Sequence, residues 1–183
     1  NTVAINLGIN YSFEKSAELQ RHTIIHDTIP NYKEPVKYNI AFRSGMNESD
    51  IIGSGKFPFY ILSAYADKRL SRKSAIQFGA DFFMMKYLEE YIRYKSVAYP
   101  NEHVDPDTDY RRIGVFIGHE LFINKLSLEA QVGYYVYAPF GFLGPFYQRV
   151  GMKYYFSNTI FTSLTLKTHA AKAEAMEIGV GIR

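Results

Sequence analysis

Cysteine is absent from the 183 residues, which excludes disulfide frameworks and thiolate metal sites. Tryptophan is absent too, so 16 tyrosines and 14 phenylalanines carry the whole aromatic content, a supply that suits β-strands. No stretch approaches the roughly 18–20 consecutive apolar residues that a membrane-spanning helix needs, and a helical membrane protein is excluded. An excess of one charge sign is missing as well. The formal net charge of +3 comes from scattered residues, which excludes the concentrated basic stripe of a nucleic-acid binder. The opening segment, from Asn1 to Asn6, has neither a basic n-region nor an apolar h-region, so a chain whose export signal has been cleaved is expected. The histidines show ligand-like spacing only at His22 and His26, without a supporting cluster, and neither a metal nor another cofactor is expected.

What the chain does have is alternation with period two. Successive strand residues point to opposite faces, and one face here is apolar in segment after segment. From Lys125 onward Leu126, Leu128, Ala130, Val132, Tyr134 and Val136 oppose Ser127, Glu129, Gln131, Gly133 and Tyr135. Val150, Met152 and Tyr154 oppose Arg149, Gly151 and Lys153; Leu164 and Leu166 oppose Ser163, Thr165, Lys167 and His169; Ile178 and Val180 oppose Glu177 and Gly179. Upstream, Ile113, Val115 and Ile117 oppose Arg112 and Gly114, Ile76 and Phe78 oppose Gln77 and Asp81, and Tyr38, Ile40 and Phe42 oppose Asn39 and Arg43. Residues 3–11 alternate in the same way. Residues 57–67 read as a strand without a clear face.

A soluble sandwich or a lipocalin-like barrel would bury the apolar face and hydrate the charges. Three features favour the reverse, with grease toward lipid. Charged residues and glycines recur together on the polar face, and aromatic residues cluster at strand ends (Tyr134, Tyr154, Phe156, Phe140, Phe142, Tyr91, Tyr94), as interface girdles do. Connections also alternate between short turns (70–73, 123–125, 157–158) and longer links (45–56, 95–109, 139–145), as in outer-membrane barrels. The expected fold is therefore all-β: one domain over 1–183, a transmembrane antiparallel up-and-down β-barrel of eight to ten strands, with both termini in the periplasm. Nine segments are visible and barrels of this kind use even numbers, so ten is favoured, the tenth lying in 19–29.

A barrel this narrow is filled by side chains rather than open as a pore, and charges inside it must pair. The expected lumen network comprises Lys167, Glu177, Arg149, Glu129, Arg112 and Asp81. Its most local pair is Lys167 with Glu177, brought opposite each other by a hairpin turning near 170–173.

The C-terminal third, with "YYVYAPF", "GPFYQRVGMKYYF" and "LKTHAAKAEAMEIGVGIR", resembles the acyloxyacyl hydrolase barrels of Bacteroidota, relatives of the lipid A 3-O-deacylases; "DIIGSGKFPFY" adds to the likeness. The resemblance implies an outer-membrane site in which a His-x-Ser pair and an acidic residue cleave an acyl ester, Ser attacking, His acting as base and the carboxylate orienting His. That pair is not found here. His169 is followed by Ala170 and Ala171, His119 by Glu120 and Leu121, and His103 by Val104 and Asp105. Only His26-Asp27-Thr28 has a hydroxyl at the right offset. The surviving fragment is His169 with Glu177 as a candidate acid–base pair, its nucleophile unassigned.

Whether the chain is an enzyme stays open at this point. One reading is a non-catalytic accessory or structural subunit of an outer-membrane assembly, built on the deacylase-like scaffold. The other is a lipid A or lipopolysaccharide acyl-ester hydrolase. Both put the chain against outer-membrane lipid, including lipopolysaccharide, and the first adds other outer-membrane proteins as partners.

Overall fold

The structure is a computed structural model, and it describes residues 34–48, 51, 53, 55–170 and 172–183. Eight strands follow in order: β1 (Lys37–Glu48), β2 (Lys56–Arg69), β3 (Ser74–Met85), β4 (Arg112–Ile123), β5 (Leu126–Tyr137), β6 (Phe146–Tyr155), β7 (Ile160–His169) and β8 (Lys172–Ile182). Each pairs antiparallel with its neighbour in sequence, and β1 returns to β8 from Ile40 opposite Ile182 to Ser44 opposite Ile178. The sheet is thus a closed barrel.

Closure settles the strand count at eight rather than ten. Once β1 pairs with β8, no free edge is left in the ring to take another strand. The two further strands expected in 3–11 and 19–29 fall outside the described residues.

The faces of the strands decide what kind of barrel this is. Val132, Val150 and Ile178 are 51%, 49% and 65% exposed, whereas their chain neighbours Gln131, Arg149 and Glu177 are 2%, 0% and 0% exposed. The outward-facing positions are apolar, and the buried charged side chains point toward the axis. The face that sequence left open on β2 is resolved in the same sense: Ser63, Tyr65 and Asp67 are buried, and Tyr60 and Leu62 are exposed.

Glycine placement follows from the crowding inside. A Cβ on Gly133 would occupy the space taken by the Tyr147 ring, which is fully buried and donates its hydroxyl to Asp81 Oδ2 at 2.8 Å. Gly133→Val is expected to displace that ring and to cost about 1–3 kcal/mol, the usual range for overpacking. A lower guanidinium midpoint for the reconstituted barrel would report it.

One end of the barrel carries the short turns after β2, β4 and β6; the other carries the long connections after β1, β3 and β5. Sequence reading missed a helix at the loop end, α1 (Lys86–Ala98), which continues directly from β3. Tyr87, Leu88 and Ile92 form its buried stripe, at the spacing of one helical face. Glu89 braces the first turns against Lys86 and Arg93 at 3.2 and 3.5 Å. Tyr91, Phe140 and Phe142, expected as girdle residues, instead cluster over the loop end, with Tyr91 and Phe142 ring centroids 5.1 Å apart. Tyr134, Tyr154 and Phe156 are exposed on the outer face as expected.

Candidate functional site

In a barrel narrow enough to be filled by side chains, each lumen charge must find a protein partner or remain costly. Among the described residues Arg43, Arg112, Arg149, Lys153 and Lys167 are buried together with Asp67, Asp81, Glu120, Glu129, Glu174 and Glu177, so both signs share the lumen. Near the turn end, Lys153 bridges Glu120 at 3.1 Å and Glu129 at 2.8 Å, and Glu120 also accepts from Tyr155 at 2.7 Å. At mid-height Arg149 donates to Glu177 at 2.7 Å, to Asp81 at 2.8 Å and to Gln131 at 2.8 Å. Arg43 reaches Asp81 through Ser63 and lies 3.7 Å from Glu129. Beneath them all, Arg183 closes the turn end on Asp67 at 2.5 Å.

Such an interior is a plug. Alternating signs leave no continuous surface of one charge along which an ion would be drawn, and the large aromatic side chains Phe59, Phe83, Phe116 and Phe161 fill what remains.

At the loop end the network becomes a site. Glu174 gathers a ring of donors: Tyr87 at 2.5 Å, Arg112 at 2.8 Å, and Lys167. His169 presents Nδ1 to Glu174 Oε2 at 3.3 Å and Nε2 to the Tyr135 hydroxyl at 3.1 Å, with its ring stacked on that of Tyr135. A carboxylate beside Nδ1 and a hydroxyl on Nε2 bring together the members of an oriented base, but Nδ1 makes no hydrogen bond here and Glu174 spends its acceptors on Tyr87, Arg112 and Lys167. Burial first, and the Glu174 carboxylate next, push the Tyr87 phenol above its ordinary range, so it stays a donor to that carboxylate.

The sequence had nominated Glu177 for the roles that Glu174 fills. The reason is a bulge in the last hairpin: Lys167 pairs with Ala175 and Thr168 with Ala173, which leaves Glu174 as the extra residue. Glu174 and Ala175 are therefore both buried, and the carboxylate reaches Lys167 and His169. Glu177 sits lower, opposite Thr165, where it accepts from Thr165 at 2.7 Å and binds Arg149. Neither of the pairs expected between Glu177 and Lys167 or His169 is formed. Of the other nominated lumen residues, Asp81, Glu129, Arg112 and Arg149 all lie within the barrel.

The second gap in the sequence reading is a hydroxyl that no linear motif reveals. His119 meets Ser74 at 2.7 Å from Nε2, but across two strands, on the exposed face near the turn end. Among the described residues no carboxylate hydrogen-bonds or ion-pairs with that histidine, whereas His169 has Glu174 beside it at 3.3 Å. No group of side chains suited to a metal ion occurs among the described residues.

A closed barrel with an apolar exterior, a charged and filled lumen and a polar constellation at one rim defines the class: this is a β-barrel of the outer-membrane type. Residues 36–183 match the sequence family described as acyloxyacyl hydrolase, C-terminal domain, and the chain belongs to that family. No curated protein and no solved structure matches it.

Proposed function

We propose that this barrel sits in the outer membrane with its loop end at the outer leaflet and both ends of the chain in the periplasm, where it serves as a non-hydrolytic accessory or structural subunit. The observation that carries this reading is the state of His169. Its Nε2, the nitrogen that would take a proton from an attacking serine, faces a buried tyrosine, and the position two residues on is Ala171. The carboxylate behind it is meanwhile neutralised by Arg112 and Lys167. What a hydrolase would keep poised for catalysis is here tied into the plug.

Purified protein incubated with lipopolysaccharide should release no fatty acid detectable by mass spectrometry. Release at the rate of an active family member would overturn the proposal. Ala171→Ser returns a hydroxyl to the vacant position of the His-x-Ser pair, and slow release that disappears in the double variant with His169→Asn is the expected outcome. The accessory role has its own test: mild detergent extraction should yield a stable complex with other outer-membrane proteins, and a free monomer alone would count against it.

A second reading has one specific observation behind it, the Tyr135 hydroxyl on Nε2 of His169 with the Glu174 carboxylate 3.3 Å from Nδ1. It supports an acyl-ester hydrolase in which the phenol stands where the family's serine would. Under that reading wild-type protein releases fatty acid, and Tyr135→Phe abolishes release without lowering stability.

A further inference from the structure

The turn end of the barrel carries positive charge that its own carboxylates do not answer. Glu34 takes Lys37 and Arg69, with its carboxylate 3.8 Å from Arg69 Nε, and Asp67 takes Arg183 at 2.5 Å. Arg72, Lys73 and Lys125 pair with no carboxylate among the described residues, and all three are exposed. The loop end is different: there Lys86 and Arg93 share Glu89, and Lys95 meets Glu102 at 2.6 Å.

Two of the unanswered cations border a cleft. A space of about 580 Å³ lies between the turn after β2 and the turn after β4, with Arg69, Arg72 and Lys73 on its basic side and Leu121, Phe122 and Ile123 on its apolar side. The Arg69 guanidinium lies on the Phe122 ring, 3.4 Å from its centroid, which fixes the inner wall. Leu121 and Ile123 point outward from β4 and are exposed, so the apolar side continues into the face directed at lipid. A ligand that fills the cleft must offer an anion to the turn and hydrocarbon to the strand. A free anion would leave Leu121 and Ile123 uncovered, and an acidic polypeptide would have to enter the hydrocarbon to reach them.

We infer that this cleft seats the anionic phosphodiester headgroup of a phospholipid from the leaflet around the turn end. The phosphate oxygens accept from Arg72 and Lys73, and an acyl chain runs along Ile123 and Leu121 toward the middle of the bilayer. The bound headgroup answers the unpaired charge of the turn and anchors that end of the barrel at the membrane surface. The source of the lipid rests on the proposed membrane placement. The site itself involves neither His169 nor Glu174 and lies at the opposite end of the lumen.

Dialkyl-ether phosphatidylglycerol is a suitable probe, because it has the phosphodiester and the chains but no acyl ester to cleave. Titrated into the full chain in an uncharged detergent and followed by native mass spectrometry, it should bind saturably. Dialkyl-ether phosphatidylethanolamine, whose headgroup carries no net charge, should bind much more weakly. The double variant Arg72→Gln/Lys73→Gln should weaken phosphatidylglycerol binding about thirtyfold, on the order of fivefold for each cation removed beside an anionic headgroup. Both changes fall on exposed turn residues, where substitutions leave the fold intact. Lys86→Gln/Arg93→Gln removes the same net charge at the loop end and should leave binding unchanged. Equal losses in the two double variants would overturn the cleft, since overall charge alone would then govern binding. Equal binding of the two phospholipids would overturn the anionic headgroup, and equal affinity for inorganic phosphate and phosphatidylglycerol would overturn the amphiphile. Absence of saturable binding would overturn the site itself. The titration uses no bilayer, so it fails separately from the outer-membrane placement, and fatty-acid release from lipopolysaccharide would defeat the non-hydrolytic proposal alone.

Discussion

Arg149→Met should be the most damaging single substitution in the barrel, lowering its stability by about 3–5 kcal/mol, the range found when one partner of a buried ion pair is removed. Arg149 is fully buried, joins Asp81 to Glu177 and also donates to Gln131. Without it, two carboxylates at the middle of the lumen face each other with only the more distant Arg43 between them; Arg43 Nε lies 3.9 Å from Glu177. The loss is in compensation rather than in volume, because methionine fills much of the same space. A triple variant, Arg149→Met with Asp81→Asn and Glu177→Gln, should therefore recover a large part of the lost stability although it contains more changes. Urea unfolding of the vesicle-reconstituted proteins, followed by loss of heat-modifiable migration, would check both. If the triple variant is no more stable than the single one, stability here comes from packing and not from charge pairing.

The barrel could be read in the sequence because period-two alternation survives in strands that bury one kind of side chain and expose the other. It was hardest to read where that contrast fails. On β2, Phe59 and Ile61 point inward and Tyr60 and Leu62 outward, so both faces are apolar and alternation carries no information. Helix α1 was hidden for a related reason: Tyr91 and Tyr94 suit an interfacial girdle as well as a helix that caps the loop end. The site was less legible than the fold. His169 could be singled out from the family resemblance, but its partner depended on a single bulge. A signal was present. In unbroken alternation Glu174 and Glu177, three residues apart, must face opposite ways, and one carboxylate would then lie in lipid at a cost that barrels avoid. Two acids at odd spacing on one membrane strand call for a bulge, and the bulge brings Glu174 to His169.

Val132→Arg is expected to destabilise the barrel by about 2–4 kcal/mol in a bilayer, and Ile123→Arg by only about 0–1 kcal/mol, because the cost of a charge on the lipid face falls from midplane to interface. Both residues are about half exposed on the outer face, Val132 at 51% and Ile123 at 51%, so local burial does not separate them. What differs is position: Val132 is near the middle of β5 and Ile123 ends β4 beside a turn. In water the two arginines would be tolerated alike, since exposed polar substitutions usually change stability by less than about 0.5 kcal/mol. The comparison therefore measures the surrounding solvent rather than the protein's own contacts. Reconstitution into vesicles followed by unfolding titration should give the graded pair of losses. Equal and small effects would mean that the apolar belt meets something other than hydrocarbon, and the outer-membrane placement on which the proposed function depends would fail.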